Sequence, residues 1–170
     1  APSLNFLYAD CGGNIGYALA GKIPKRSAEP SLLPLAGWDE ANDWRGYIPF
    51  DELARLYNPP SGCIATANNK IADSAYPYYL SNFFEPPQRI RRINQLLQSQ
   101  ERLSADDMSK LQLDQVSLHA VELIQSLTAD LRVIPGDDRL VNDAVARLLA
   151  WDGNCAASSA PAAIFHVFHQ

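Results

Sequence analysis

Pro86-Pro87-Gln88-Arg89-Ile90-Arg91-Arg92-Ile93-Asn94-Gln95-Leu96-Leu97 separates two kinds of sequence in this chain. The two prolines suit the first turn of a helix, where a missing N–H costs no hydrogen bond. Behind them Ile90, Ile93, Leu96 and Leu97 recur at helical spacing, so a helix is expected up to about Gln100. The apolar patterns that follow keep the same period. Before this stretch, prolines, glycines and short extended runs dominate. The expected class is α+β and predominantly α-helical. An N-terminal antiparallel β-hairpin, a loop-rich arm and a short helix (1–85) precede a bundle-like helical part (86–170), within a single domain of 1–170.

Downstream, Ser104-Ala105-Asp106-Asp107 resembles a capping box with Asp in the third position. The helix it opens is expected to run to about Leu131. Leu113, Val116, Ala120, Leu123, Ile124, Leu127 and Leu131 hold helical spacing, and Leu111, Leu118 and Val121 widen the stripe. Val133-Ile134-Pro135-Gly136 breaks the pattern. Asp137 or Asp138 caps a further helix carrying Leu140, Val141, Ala144, Val145, Leu148 and Leu149. Gly153, after Trp151-Asp152, suits the left-handed position just past a helix end. A last helix starts near Ser159 or Pro161 and turns Ile164, Phe165 and Phe168 inward.

Upstream, Leu4-Asn5-Phe6-Leu7-Tyr8-Ala9 and Ile15-Gly16-Tyr17-Ala18-Leu19-Ala20 flank the turn-forming Asp10-Cys11-Gly12-Gly13-Asn14. A lone hairpin is marginal in water, so this one must pair or pack further. Residues 21–49, broken by Pro24, Pro30, Pro34, Gly37 and Gly46, read as a structured arm pinned to the core by Trp38 and Trp44. Residues 50–57 read as a short helix, with Phe50, Leu53, Leu56 and Tyr57 on one face and Asn58-Pro59 as its stop. A short β-branched run, Ile64-Ala65-Thr66, then leads into Asn68-Asn69. Such a pair either makes an ordinary turn, bonding the local backbone, or presents an amide N–H where a carbonyl oxygen becomes negative.

The 170 residues are enough for one domain with a hydrophobic core, and 47% hydrophobic against 19% charged is a globular composition. The net charge of −5 argues against nonspecific nucleic-acid binding, which needs clustered cations to neutralise phosphates. The one basic cluster, Arg89-Ile90-Arg91-Arg92, sits at a helix start. No apolar run approaches the roughly 18 residues of a membrane span. No signal-peptide pattern opens the chain. Cys11, Cys63 and Cys155 lack CxxC spacing and a disulfide framework, and free thiols are expected. Among His119, His166 and His169, only the last two have a spacing that could share a metal, and no Cys or carboxylate joins them. No metal and no cofactor are therefore expected. The chain has no Gly-x-Ser-x-Gly, no Walker loop and no Rossmann fingerprint. Paired carboxylates at Asp106/Asp107 and Asp137/Asp138 offset helix dipoles. No nucleophile and base stand at a recognisable spacing.

The order of motifs carries more than any one of them. Asp10-x-x-Gly13-Asn14-Ile15-Gly16-Tyr17 precedes Gly21-x-x-Pro24-x-Arg26. Then come Trp44-x-Gly46-x-Ile48-Pro49-Phe50-x-Glu52-Leu53, Asn58-Pro59-x-x-Gly62 and Ala67-Asn68-Asn69. Tyr76-Pro77, Arg89-Ile90-x-x-Ile93-x-x-Leu96-Leu97 and Trp151-Asp152-Gly153 follow. This succession resembles the β-subunit of penicillin acylases and the related acyl-homoserine-lactone acylases, over nearly the whole chain. The resemblance implies an N-terminal-nucleophile amidohydrolase, in which a serine exposed by self-cleavage attacks an amide carbonyl and its own α-amino group acts as base. It also implies that Asn68 donates to the oxyanion and that Arg89 supports the nucleophile's environment.

The departures narrow the reading. The chain starts Ala1-Pro2-Ser3 and not on the serine, so the resemblance implies an internal segment of a larger enzyme, inactive alone. Its partners would be the α-subunit and the rest of the β-subunit, with a small-molecule amide as substrate. The parent enzyme would be periplasmic or secreted, with roles in antibiotic resistance or quorum quenching, and the segment by itself could self-associate. Tyr76-Pro77 is followed by Tyr78-Tyr79-Leu80, without the Asp that ligates calcium in some members. The alternative is a non-catalytic, helix-rich binding or scaffold module that uses the loop around Trp38, Trp44 and Tyr47.

Overall fold

Ile15-Gly16-Tyr17-Ala18-Leu19-Ala20 buries Tyr17 and Leu19 on one face, and a computed structural model makes it the central strand of a sheet. The structure describes residues 3–26, 32–134 and 136–169, so Ala1, Pro2, Pro30 and Pro135 lie outside the described residues. The chain divides into two units, Ala1–Pro86 and Pro87–Gln170.

The first unit holds β1 (Leu4–Ala9), β2 (Ile15–Ala20), β3 (Pro24–Arg26), β4 (Trp44–Tyr47) and β5 (Arg55–Tyr57). β1 and β2 form the expected hairpin, antiparallel from Leu4 opposite Ala20 to Ala9 opposite Ile15. β5 takes the other edge of β2, with Tyr17 opposite Leu56, giving the order β1-β2-β5. This answers the marginality of a lone hairpin. β3 and β4 pair separately within the arm. Tyr17, Leu19, Ile23, Ile48 and Leu53 form the core, with Ile64, Ile71 and Leu80 packed against it. Burying each large apolar side chain is worth about 1.5–3 kcal/mol.

Two expectations fail in this unit. Residues 50–57 are not a helix: a 3-10 turn over Phe50–Glu52 gives way to β5. Of the supposed apolar face, Leu53 alone is buried, while Phe50 is 77% exposed and Tyr57 66%. The free edge of β2 offers ladder hydrogen bonds that a one-faced eight-residue helix could not match. Trp38 and Trp44 do not pin the arm either, being 91% and 60% exposed. Hydrogen bonds tie down the turn that follows the arm. Tyr76 Oη donates to the Glu52 carbonyl at 2.9 Å, and Tyr78 Oη donates to the Glu52 carboxylate.

The second unit contains α1 (Gln88–Leu97), α2 (Ala105–Gln112), α3 (Leu118–Ser126), α4 (Thr128–Val133), α5 (Arg139–Leu149) and α6 (Ala160–His169). The capping box at Ser104 forms as expected, with Asp107 as its acidic partner. The single long helix does not form, and residues 105–133 make three short helices. Ser117 is the reason at the first break. Its Oγ accepts the Ala120 N–H at 3.2 Å, and its own N–H donates to the Gly153 carbonyl at 2.9 Å. A serine that caps cannot also continue a helix. Val116 forms an isolated antiparallel bridge with Asn154 beside it. Leu113, counted on the apolar stripe, is 78% exposed at the end of α2.

Asp138 caps α5 through the Leu140 and Val141 N–H groups. Ala120, Ile124, Leu131, Val145, Leu148 and Phe165 form the core of this unit. Trp151 packs its ring 5.5 Å from that of Phe165 and donates from Nε1 to the Asn154 carbonyl at 3.0 Å. Phe168, expected inside, is 49% exposed near the end of α6. Gly153 has φ +84°, but it lies beyond the Ala150 cap and so serves the following turn. The three cysteines are free.

Two outcomes follow for stability. A Cβ at residue 153 would stand 2.4 Å from Val121 Cγ2, on a backbone at positive φ. Gly153→Ala is expected to lower the unfolding free energy by about 2–4 kcal/mol, combining left-handed strain with overpacking; denaturant titration measures it. At the hairpin turn, hydrogen bonds from the Asn14 side chain and backbone, and then from Tyr8, hold the Asp10 carboxyl down to about 2. A depressed carboxyl stabilises the fold above its unfolded value of about 3.9, and the contribution disappears as pH falls through about 2. Asp10→Asn should flatten the acid limb of thermal stability between those two values and leave the neutral-pH dependence unchanged.

Candidate active-site cleft

Ala67 is buried and Asn68 is exposed, so the Thr66-Ala67-Asn68-Asn69 stretch crosses from core to surface in one residue. Residues 64–66 pair in no ladder, contrary to the strand reading. Asn68 adopts φ +60°, the left-handed region that Asn tolerates better than other non-glycine residues. Its carbonyl accepts the Glu85 N–H at 3.0 Å. Asn69 does the turn chemistry: its Oδ1 accepts the Ala67 N–H at 3.0 Å and its Nδ2 donates to the Lys70 carbonyl at 2.9 Å. Asn68 lines a cleft of about 250 Å³ within the first unit.

The walls of that cleft include Leu19, Ile23, Leu80 and Phe84, with Asn5, Asn68, Asn69 and Ser81 as polar groups. No charged residue is among the described residues that line it. Asn5 is a cleft residue that the motif reading missed. It stands opposite Leu19 in the hairpin register, so it lies on the same side of the sheet as Tyr17 and Leu19 while itself remaining exposed. Its Oδ1 accepts from Tyr17 Oη at 2.7 Å and its Nδ2 donates to Thr66 Oγ1 at 3.2 Å. Burial, then the neighbouring Tyr76, pushes the Tyr17 phenol up to about 12, so it remains a donor at neutral pH. Ser81 is committed locally, its Oγ donating to the Phe83 carbonyl and accepting the Phe83 N–H.

Such a site can seat an apolar group and offer neutral dipoles to a developing negative charge. Nothing described in it couples a nucleophile to a base.

Arg89 belongs to the second unit. It is exposed in the first turn of α1, whose Pro87 cap makes no side-chain bond and which has no acidic residue in that turn. A cation there opposes the helix dipole, at a cost of about 0.3–1 kcal/mol. Arg91 and Arg92, in the same cluster, pair with carboxylates. Arg92 Nε donates to Asp114 at 2.8 Å and holds that carboxyl below the usual range. Arg91 pairs with Glu122, whose carboxyl is drawn down by Gln88 first and then by Arg91. Among the histidines, His169 approaches His119, with Nε2 atoms 3.2 Å apart.

The sequence of the penicillin amidase family model matches residues 1–170. The chain belongs to that family. It is 32% identical to penicillin acylase 2 proenzyme of Pseudomonas sp. over 98% of its length, covering 21% of that protein. It is 36% identical to acyl-homoserine lactone acylase QuiP of Pseudomonas fluorescens over its whole length, covering 22% of that protein. The solved thermostable penicillin G acylase from Alcaligenes faecalis superposes with a TM-score of 0.65 at 29% identity, over 91% of this chain and 28% of that one. This penicillin amidase chain therefore spans about a fifth of the curated relatives it matches. No helix among the described residues is long and apolar enough to cross a membrane.

The left-handed backbone at residue 68 allows a clean structural probe. Asn68→Gly should keep the fold, because glycine accepts φ +60° without strain; Asn68→Ala should cost about 1–2 kcal/mol from the backbone alone. Paired thermal melts would show the difference.

Proposed function

We propose that this chain is part of a penicillin-acylase-like amidohydrolase and contributes one wall of its active site. The observation that supports the reading is the left-handed backbone that sets Asn68 on the cleft. Asn69 secures the turn, and Asn68 is held at a fixed point on a neutral, partly apolar cleft. In the proposed reaction, a serine that is not in this chain adds its oxygen to the amide carbonyl, and its proton passes through water to its own α-amino group. The carbonyl oxygen becomes an oxyanion and receives the Asn68 amide N–H. Collapse expels the amine, which takes up the proton, and water then hydrolyses the resulting ester. A donor already in place needs no reorganisation as the charge develops. Arg89 supports the nucleophile's environment electrostatically. The apolar walls suit the acyl part of a β-lactam side-chain amide or of an acyl-homoserine lactone, the substrates that the relatives' names suggest.

The chain works as a single domain, 1–170, together with the α-subunit and the remainder of the β-subunit, in a periplasmic or secreted enzyme, and is inactive alone. Exposed Leu4, Phe6, Leu7 and Tyr8 on the edge strand β1 support self-association of the isolated segment. A second reading, a scaffold segment that docks through aromatics, draws support from the exposure of Trp38, Trp44 and Tyr47. The two readings part in the full-length enzyme. Asn68→Gly is expected to cut kcat by about 10²–10³ with KM little changed. A rate within a few-fold of wild type would remove Asn68 from the chemistry and favour the scaffold.

A further inference from the structure

Residues 58–86 of the first unit contain no helix and no strand. So long an irregular connection inside a packed unit is uncommon, and where it occurs it usually carries function. This one is tied down at separate points. The Glu85 N–H donates to the Asn68 carbonyl at 3.0 Å and closes residues 69–84 into a loop. Within that loop Tyr76 Oη donates to the Glu52 carbonyl at 2.9 Å, and Tyr78 Oη donates to the Glu52 carboxylate. Lys25 Nζ stands 4.8 Å from the centre of the Tyr78 ring, a cation–π contact from β3. Tyr78 and Leu80 pack against the core of the first unit.

The loop stands between two cavities of the first unit. The cleft at Asn68 measures about 250 Å³, and a second cavity of about 160 Å³ is lined by Tyr76, Tyr78 and Tyr79. Leu80, Ser81 and Phe84 line both. The Ser81 hydroxyl is taken up by the Phe83 backbone, so the half-buried apolar side chains of Leu80 and Phe84 make the partition. On the reading of the cleft as the seat of the acyl group, we propose that Leu80 and Phe84 limit the length of a straight-chain acyl group and that Tyr78, held by Glu52 and Lys25, positions them. An alkyl terminus loses water against these two side chains at no polar cost, whereas a hydroxylated or charged terminus would leave its polar group unpaired. Tyr78 lines the second cavity and not the cleft, so it acts through Leu80, two residues further on.

The test is made in the full-length enzyme, with straight-chain acyl p-nitroanilides from hexanoyl to dodecanoyl. Leu80→Ala joins the cleft to the second cavity. It should raise kcat/KM for the longest chains relative to hexanoyl by about 10-fold or more, the lower end of what one methylene is worth in an apolar pocket. Leu80→Val, a smaller cut, should move the profile the same way by a lesser factor, and it carries the test where the alanine variant does not accumulate. Tyr78→Phe keeps the ring beside Lys25 but loses the bond to Glu52; it should raise KM several-fold with kcat little changed. Glu52→Gln retains an acceptor for the phenol and should stay near wild type. An unchanged chain-length profile in the Leu80 variants would overturn the proposal, and so would a Tyr78→Phe enzyme with the wild-type KM. If Asn68→Gly then still loses about 10²–10³ in kcat, the amidohydrolase reading stands without it. A rate unaffected by Asn68→Gly would remove both.

Discussion

The position of the cleft wall depends on one buried phenol. Tyr17 is 6% exposed on β2, and its hydroxyl donates to Asn5 on the neighbouring strand. Asn5 passes the restraint to Thr66 through its own amide. Two residues later the backbone turns left-handed at Asn68, and its carbonyl is tied to the Glu85 N–H. A short hydrogen-bonded chain thus runs from the core to the residue that faces the cleft. Each bond alone is worth about 0.5–1.5 kcal/mol net. In series they act chiefly on geometry.

The second unit obeys a different constraint, set by Trp151-Asp152-Gly153. The Trp151 indole packs on Phe165, the Asp152 carboxylate accepts the Asn154 N–H, and the Gly153 carbonyl accepts the Ser117 N–H. This turn is clipped to the break between α2 and α3. The break is therefore a feature of tertiary structure. It lets Ala120 and Ile124 face α5 and α6 while Asp114, just before it, reaches Arg92. One uninterrupted helix through residues 105–131 would have had to leave Ser117 uncapped and the Val116–Asn154 bridge unmade.

These two constraints explain what could be read from sequence and what could not. The hairpin, the capping box at Ser104, the Asp138 cap and the helical second half follow from local chemistry, and local chemistry is written in order along the chain. The family was legible for a related reason: its motifs are mostly turn and cap residues kept in sequence. The misread elements all depend on distant partners. Residues 50–57 carry a helical apolar spacing, but the free edge of β2 draws residues 55–57 into a strand. The long stripe from Leu113 to Leu131 has an unbroken period, yet Gly153 and Asn154, far along the chain, interrupt it. At the site, the asparagine pair announced a turn or a donor. The three-dimensional arrangement puts both on the cleft and ties Asn69 into the turn by two backbone bonds. Asn5 carried no signal in the sequence, because its role rests on Tyr17 and Thr66, partners that only the fold brings to it.

The exposed apolar surface bears on what kind of object this chain is. β1 is an edge strand whose six residues are all exposed, and Phe6, Leu7 and Tyr8 are each more than half accessible. Isolated proteins blunt such edges with charge, proline or a covering element, because an open apolar strand recruits other strands. The nearby Asp10 does not provide that protection, since its carboxylate is turned back onto Asn14 and Tyr8. Trp38 and Trp44 add further uncovered aromatic area on the arm. A surface of this kind is consistent with a chain that covers about a fifth of its relatives' length. The cleft follows the same economy: among its described residues the Asn5 and Asn69 side chains are fixed by hydrogen bonds within the first unit, so its polar groups are held in place against apolar walls without help from any charge.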